Sequence, residues 1–193
     1  MIKERYDRDD FNLVLSTLQA EGVVLLPGVA GWYLGALATS DKGVAKLLSL
    51  FQETNDLQLE LLLDNSSKLS FYLEEVPEVA YDLIELSEKP ITLLLEGFRR
   101  LSEKLLNRSE LGFRVVNEPF VLPLCTRLRQ PLLVALAAKS VRRDGVHFEE
   151  IDKNIIKQVD YVTLYRQEAH DEKLLVPSII RLSRKGEIEI IKK

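Results

Sequence analysis

Few side chains in this sequence are suited to nucleophilic or metal chemistry. The chain of 193 residues has one cysteine, Cys125, and two histidines, His147 and His170. A catalytic thiol needs a neighbouring base, and neither histidine is close to Cys125 in the sequence. We therefore predict that Cys125 is a buried free thiol. Glu149 and Glu150 follow His147, but we interpret these acids, like those after His170, as solvated loop residues, and we predict no metal site.

The most informative stretch runs from residue 22 to residue 38. Residues 23–26 form an apolar run that ends at Pro27, which is typical of a buried strand leading into a tight loop. Three glycines follow this run: Gly28, Gly31 and Gly35. They would let the backbone of the loop approach a ligand or another strand closely.

The pattern of apolar residues predicts helices mixed with strands along the whole chain. Helical spacing indicates helices near residues 7–21, 40–51, 77–84, 119–129 and 151–159, and Ser66 or Ser67 can cap a further helix toward Tyr72. Apolar runs indicate further strands, at 58–63, 91–95, 112–116, 131–136 and 162–165, and alternation indicates a hairpin of 178–182 and 187–191. We predict an α/β fold over residues 1–193, with a mixed twisted sheet and flanking helices in a single domain.

Composition limits the classes of partner. The chain has a net charge of −4 and no apolar run of about 20 residues, and its first residues are too charged for a secretory signal. We expect a cytoplasmic protein that makes no membrane contact. An acidic chain is a poor non-specific nucleic-acid binder, although one region is rich in basic residues: Arg127, Arg129, Lys139, Arg142 and Arg143. This group is either solvated charge or a local RNA-binding patch.

Five blocks of the sequence, in order, resemble the YrdC-like family, the threonylcarbamoyl-adenylate synthases. Pro27, Leu34 and Gly35 match the family's Pro-Thr-Asp-Thr-x-Tyr-Gly-Leu-Gly loop, and residues 112–119 are similar to its Gly-Val-Arg-Val-Pro-x-x-Pro motif. Three further blocks, at 87–92, 131–141 and 177–182, are similar to other family motifs. The resemblance covers nearly the whole chain. It implies a YrdC-like domain and a link to threonylcarbamoyladenosine modification of tRNA.

The resemblance also implies which residues form a site. The positions that match polar or glycine residues of the nucleotide and substrate pocket are Arg114, Asn117, Ser178, Thr92, Gly28 and Gly35. Arg114 either lines that pocket or pairs with a carboxylate such as that of Glu53. Ser178 either contacts a ligand or caps backbone groups. Contacts with tRNA or other double-stranded RNA are a further implication of the family.

The sequence departs from the family where the pocket needs cations. The two basic residues of the family's Lys-x-Arg motif fall on Phe51 and Glu53, and the Ser and Asn of its Ser-Ala-Asn motif fall on Leu136 and Ala138. Two like charges about 4 Å apart cost about 4 kcal/mol at an effective dielectric constant near 20, so a glutamate there would repel a triphosphate. These changes predict a pocket that binds nucleotides weakly.

Three functions are compatible with these observations. The first is a catalytically impaired relative of the synthases, without cofactor or catalytic residue, that keeps a fold for binding a nucleotide or RNA. The second is an active synthase with ATP and Mg²⁺ as cofactors, in which Lys68 or Lys89 supplies the missing charge. The third is a protein-interaction module whose former pocket is filled by bulky residues: Trp32, Phe51 and Leu136. Trp32 and Tyr33 either fill part of the former cavity or offer a stacking surface for a base.

Overall fold

A mixed β-sheet of nine strands runs through this computed structural model, which describes residues 6–51, 57–138, 145–169 and 173–192. The strands are β1 Val24–Gly28, β2 Gly31–Leu37, β3 Glu60–Leu63, β4 Ile91–Leu95, β5 Leu111–Val115, β6 Leu132–Leu136, β7 Tyr161–Val162, β8 Ser178–Leu182 and β9 Ile188–Lys192. The α-helices are α1 Arg8–Gln19, α2 Asp41–Ser49, α3 Leu69–Tyr72, α4 Glu78–Leu86, α5 Val121–Leu128 and α6 Lys153–Gln158. Several residues of the sequence-based predictions lie outside the described part of the chain: Glu53, Lys139, Arg142, Arg143 and His170.

The strands follow the order β7-β1-β2-β6-β3-β5-β4-β8-β9. Pairing is parallel between β3 and β5 and between β4 and β8, and antiparallel between β2 and β6 and between β4 and β5. This arrangement confirms the predicted α/β fold with a mixed sheet and flanking helices.

Local sequence signals placed most helices and strands correctly. The Asp7 carboxylate caps α1 by accepting from the backbone N–H groups of Asp9 and Asp10, and the Ser40 hydroxyl caps α2 by accepting from Gly43. The sequence predicts Pro77 in the first turn of a helix, whereas Pro77 has a ψ of 133° and is the N-cap residue just before α4. The predicted hairpin is present as β8 and β9, which pair antiparallel.

The prediction of a glycine loop after β1 is wrong for residues 31–37. These residues form β2, which is buried along its whole length and pairs with β1 on one side and β6 on the other. The glycines permit this packing, because a Cβ at Gly35 would lie 2.7 Å from the Leu26 side chain. The tight turn is confined to the two residues between Gly28 and Gly31.

The sheet separates two hydrophobic clusters. Helices α2, α4 and α6 bury Val44, Ala80 and Ile155 in one cluster, whereas α1 and α5 bury side chains such as Leu18 and Leu124 in the other. We call the second side the α1/α5 face of the sheet. Helix α1 packs against α5, and α5 in turn packs against β3, so this face is covered at β3.

None of the helices in the described parts of the chain is long and apolar enough to cross a membrane.

Candidate functional site

An arginine is buried in the middle of the sheet. Arg114 lies on β5, is 1% exposed, and alternates with Phe113, whose ring packs in the cluster on the opposite side. Strand alternation therefore directs Arg114 to the α1/α5 face. A buried guanidinium is stable only where anions or hydrogen-bond acceptors surround it.

Two glutamates supply the negative charge. Arg114 Nε donates to Glu60 Oε2 at 3.1 Å, and Arg114 Nη1 donates to Glu118 Oε1 at 2.9 Å. Glu60 comes from the neighbouring parallel strand β3, and Glu118 comes from the segment between β5 and α5. With all three groups ionised, this Glu60–Arg114–Glu118 cluster carries a formal charge of −1.

Further donors satisfy the carboxylates. Glu60 Oε1 accepts from the Thr92 hydroxyl and from the Gln58 amide, each at 3.2 Å, and Glu118 Oε2 accepts from the Asn117 backbone N–H at 2.9 Å. Each carboxylate oxygen thus accepts at least one hydrogen bond. Arg114 Nη2, in contrast, is buried and has no hydrogen-bond partner among the described residues.

The charges of the cluster shift the ionisation of its neighbours. Burial by itself lowers the pKa of the Arg114 guanidinium, but interactions with the Tyr33 hydroxyl oxygen and with the carboxylates of Glu60 and Glu118 more than offset this, and the pKa is raised above its ordinary value. The Tyr33 ring lies 5.9 Å from Arg114 Cζ. Burial raises the pKa of the Tyr33 phenol, although Arg114 acts in the opposite direction. The arginine is therefore a permanent cation and the tyrosine a neutral phenol.

Three of the predicted site residues lie at this cluster. Arg114 is its centre, the Thr92 hydroxyl bonds to Glu60, and Asn117 contributes its backbone N–H. Gly28 is adjacent, because a Cβ at this position would lie 2.8 Å from the Tyr33 ring and 3.8 Å from Glu118 Oε1. The structure thus brings four of the six predicted positions together.

The other two predicted positions lie elsewhere. Ser178 pairs with Ile91, next to the Thr92–Ile179 pair, so strand alternation places it on the sheet side opposite to Thr92. Its backbone N–H donates to Pro90 O at 3.0 Å. Gly35 lies among apolar side chains, with Leu26 and Leu132 nearest to a Cβ built there.

The predicted basic patch is described only at two residues. Arg127 is exposed on the last turn of α5, with its guanidinium carbon 5.5 Å from the centre of the Phe11 ring. Arg129 caps the same helix with a φ of 56° and is also exposed.

Sequence reasoning missed both glutamates of the cluster. Arg114 does pair with carboxylates, but with those of Glu60 and Glu118. Two signals were present in the sequence: Glu60 is a single charged residue inside an apolar run at 59–63, and Glu118 follows Arg114 by four residues. A charge inside a buried strand normally requires a partner.

The bulky residues that were expected to fill the pocket lie on both sides of the sheet. Trp32 packs at 4.8 Å from the Phe148 ring in the cluster away from Arg114, and Phe51 packs against that same cluster. Leu136 is the pairing partner of Tyr33, on the α1/α5 face. Tyr33 therefore adds bulk beside Arg114, whereas Trp32 does not.

Of the remaining candidates, Lys68 is paired, Lys89 is exposed and Cys125 is buried. The Lys68 ammonium forms an ion pair with Asp64 at 2.6 Å, and Lys89 is exposed in the turn before β4. Cys125 is 1% exposed, and burial raises the pKa of its thiol to about 12. Within the described ranges no group of three or more His, Cys, Asp or Glu side chains could hold a metal ion.

Fold and site define an α/β protein built on a mixed sheet, with an ionic cluster buried at a central strand. The chain belongs to the Sua5/YciO/YrdC family: the family model, described as "Telomere recombination", matches residues 16–193.

Known relatives agree with this assignment. A curated relative, threonylcarbamoyl-AMP synthase of Stutzerimonas stutzeri (strain A1501), is 27% identical over 177 residues, which cover 91% of this chain and 93% of the relative. The fold is similar to that of E. coli YciO, with a TM-score of 0.75, 21% identity and coverage of 99% of this chain and 92% of that one. It is also similar to a Sua5 variant from P. abyssi, with a TM-score of 0.78 and 16% identity. That match covers 94% of this chain, but this chain spans only 56% of that longer one.

Proposed function

We propose that this chain is a catalytically impaired member of the family, which retains a nucleotide- or RNA-binding type of fold and is linked to threonylcarbamoyladenosine modification of tRNA. The family match and the synthase relative support the link to this modification. The impairment is inferred from the Glu60–Arg114–Glu118 cluster.

The proposal of impairment rests on the two ion pairs of Arg114. Its guanidinium already pairs with two carboxylates, so an arriving phosphate would meet one unit of net negative charge. One unpaired like charge about 4 Å away costs about 4 kcal/mol at an effective dielectric constant near 20. The described residues around Arg114 therefore do not fit the triphosphate of ATP.

The direct experiment measures ATP binding and product formation. We expect isothermal titration of the full chain with Mg-ATP to show no binding, and incubation with ATP, threonine and bicarbonate to yield no threonylcarbamoyl-adenylate. The synthase from S. stutzeri serves as the positive control. Product formation that is abolished by Arg114→Ala would overturn the proposal.

A gain-of-binding variant tests the electrostatic reason. Glu60→Gln with Glu118→Gln keeps the shape of both side chains and removes two negative charges. The net charge of the cluster then changes from −1 to +1. We expect this double variant to bind inorganic pyrophosphate or ATP at least tenfold more tightly than the parent chain. Glu74→Gln, which alters an exposed carboxylate paired with Arg184, is the matched control. Equal affinity of all three proteins, with circular dichroism confirming that they are folded, would remove the electrostatic argument.

A working synthase is the competing function, favoured by the 27% identity to the synthase over 91% of the chain. In that case a cation must come from outside the cluster. Lys68 is committed to Asp64, so Lys89 is the better of the two candidates. The competing function predicts that Lys89→Ala abolishes an activity present in the parent chain.

A further inference from the structure

The outer edge of β9 has no role in the proposed function. β9 is the last strand of the sheet, and among the described residues only β8 pairs with it. The other end of the sheet is closed by β7, which is two residues long, whereas β9 has five residues. An edge of this length offers a row of unpaired backbone groups to another strand.

The hydrogen-bond pattern shows which backbone groups point outward. Ser183 N–H donates to Glu187 O at 3.0 Å, and the register pairs Arg181 with Glu189. Hydrogen-bonded pairs alternate along antiparallel strands, so Glu187 and Glu189 direct their backbone groups to β8. Ile188 and Ile190 therefore direct their N–H and C=O groups away from the sheet.

Three of the five side chains of β9 are apolar and accessible. Ile188, Ile190 and Ile191 are 51%, 56% and 44% exposed. Natural edge strands are commonly protected by lysine, proline or a β-bulge. In β9 the irregularity lies at the Ile191 end, so the half from Ile188 to Ile190 remains regular and unprotected.

Charge at the two ends of β9 indicates the partner. Glu187 precedes the strand and Lys192 ends it. Antiparallel pairing with a second copy brings the acidic end of one strand near the basic end of the other, whereas parallel pairing would place like charges together. We propose that β9 pairs antiparallel with β9 of a second copy of this chain, about a two-fold axis.

One register satisfies both the backbone and the side chains. When Ile188 lies opposite Ile190 of the second copy, the outward backbone groups of both strands form hydrogen-bonded pairs, and four isoleucines meet on one side of the joined sheet. Glu189 then lies at the axis on the other side. Its carboxylate is bonded to Arg181 of its own chain at 2.7 Å, which reduces repulsion between the two copies.

The dimer should be weak. A pair of five-residue strands buries less than the roughly 800 Å² per partner of a standard stable interface. We therefore expect a concentration-dependent equilibrium with a dissociation constant on the order of micromolar or weaker.

Sedimentation velocity of the full chain over a concentration series tests the proposal. The parent chain should shift from monomer to dimer, and Ile190→Lys should weaken dimerisation at least tenfold. Leu13→Lys is the matched control, because Leu13 is 50% exposed on α1 and should leave the dimer unchanged. A monomer up to about 1 mM, or an Ile190→Lys variant that dimerises as well as the parent, would overturn the proposal.

Two variants test the geometry. Glu189→Cys should form a disulfide-linked dimer under mild oxidation, since the native Cys125 is buried. Glu187→Lys should weaken the dimer, and adding Lys192→Glu should restore it. If the chain dimerises but Glu189→Cys forms no disulfide-linked dimer, the two copies do not pair through β9. The same conclusion follows if Lys192→Glu fails to restore the dimer that Glu187→Lys weakens. This proposal does not depend on the proposed function, because oligomeric state and ATP binding are measured separately.

Discussion

At the scale of single residues, Arg114 is the residue whose replacement should affect the stability of the fold most. Removing the guanidinium of Arg114 would leave the carboxylates of Glu60 and Glu118 buried without a cation. We expect Arg114→Ala to lower the free energy of unfolding by about 3–5 kcal/mol, measured by urea denaturation.

The control for this prediction is an exposed arginine. Arg184 pairs with Glu74 while its side chain is 48% exposed, and Arg184→Ala should change the free energy of unfolding by about 1 kcal/mol or less. If Arg114→Ala lowered the free energy of unfolding no more than Arg184→Ala does, the buried cluster would not stabilise the fold as we expect. Replacing all three members with Arg114→Met, Glu60→Gln and Glu118→Gln should recover part of the loss, because no buried charge is then left unpaired.

A second prediction at this scale concerns pH. The hydrogen bonds from Arg181, at 2.8 and 2.9 Å, lower the pKa of the Glu110 carboxyl, while its partial burial acts in the opposite direction. A carboxyl with a lowered pKa stabilises the fold above its unfolded pKa of about 4.3, and this contribution is lost as the pH falls through the folded value. The difference in unfolding free energy between the parent chain and Glu110→Gln should therefore be largest at pH 7 and shrink below about pH 4.

The size of this pH effect is modest. Arg181 is 42% exposed, so solvent screens the pair and about 1 kcal/mol or less is expected at pH 7. Arg181→Met should remove the same pH-dependent contribution, which makes a double-mutant cycle the appropriate control. A difference that stays constant from pH 7 to pH 3 would contradict the assignment.

At the scale of elements, the β1–β2 turn depends on close backbone approach. Gly31 has a φ of 99°, and a Cβ there would lie 1.9 Å from Val146 O, which accepts a hydrogen bond from Trp32 N–H. Gly31→Ala therefore combines backbone strain with displacement of residues near Val146. We expect it to cost about 3 kcal/mol or more in unfolding free energy, measured by chemical denaturation.

A second glycine separates these two causes. Gly186, in the β8–β9 turn, has a φ of 84°, but the nearest atom to a Cβ there is Val79 Cγ1 at 3.9 Å. Gly186→Ala should therefore cost only the positive-φ strain, about 1–2 kcal/mol. Equal costs at both positions would mean that the contact with Val146 is unimportant.

At the scale of the whole molecule, charge limits how RNA could bind. The net charge is −4, so any tRNA binding must come from a local patch. Arg127 and Arg129 are the described members of the predicted patch, and both are exposed on α5 or its cap. If they contact phosphates, Arg127→Ala with Arg129→Ala should make the log–log dependence of tRNA affinity on salt shallower by about 2.

This dependence is measured by fluorescence anisotropy between roughly 50 and 200 mM salt. Arg184→Ala removes an exposed arginine from the β8–β9 turn and should leave the slope unchanged. Loss of affinity without a change of slope in the Arg127/Arg129 double variant would argue against phosphate contacts at this patch.

The sequence by itself determined where most helices and strands lie, because these positions depend on local chemistry. Ser40 begins α2 because its side chain accepts a backbone hydrogen bond, and apolar runs such as 91–95 become strands because burying them is favourable. The family motifs allowed the fold to be predicted, because they occur in order along nearly the whole chain.

Only the tertiary structure decided the pairing of distant residues. Residues 31–37 became a strand because β1 and β6 offer partners on both edges, which no local pattern reveals. Arg114 meets Glu60, 54 residues earlier in the chain, because β3 and β5 pair in parallel. Side chains meet across a sheet according to strand order and register, and these depend on the packing of the whole chain.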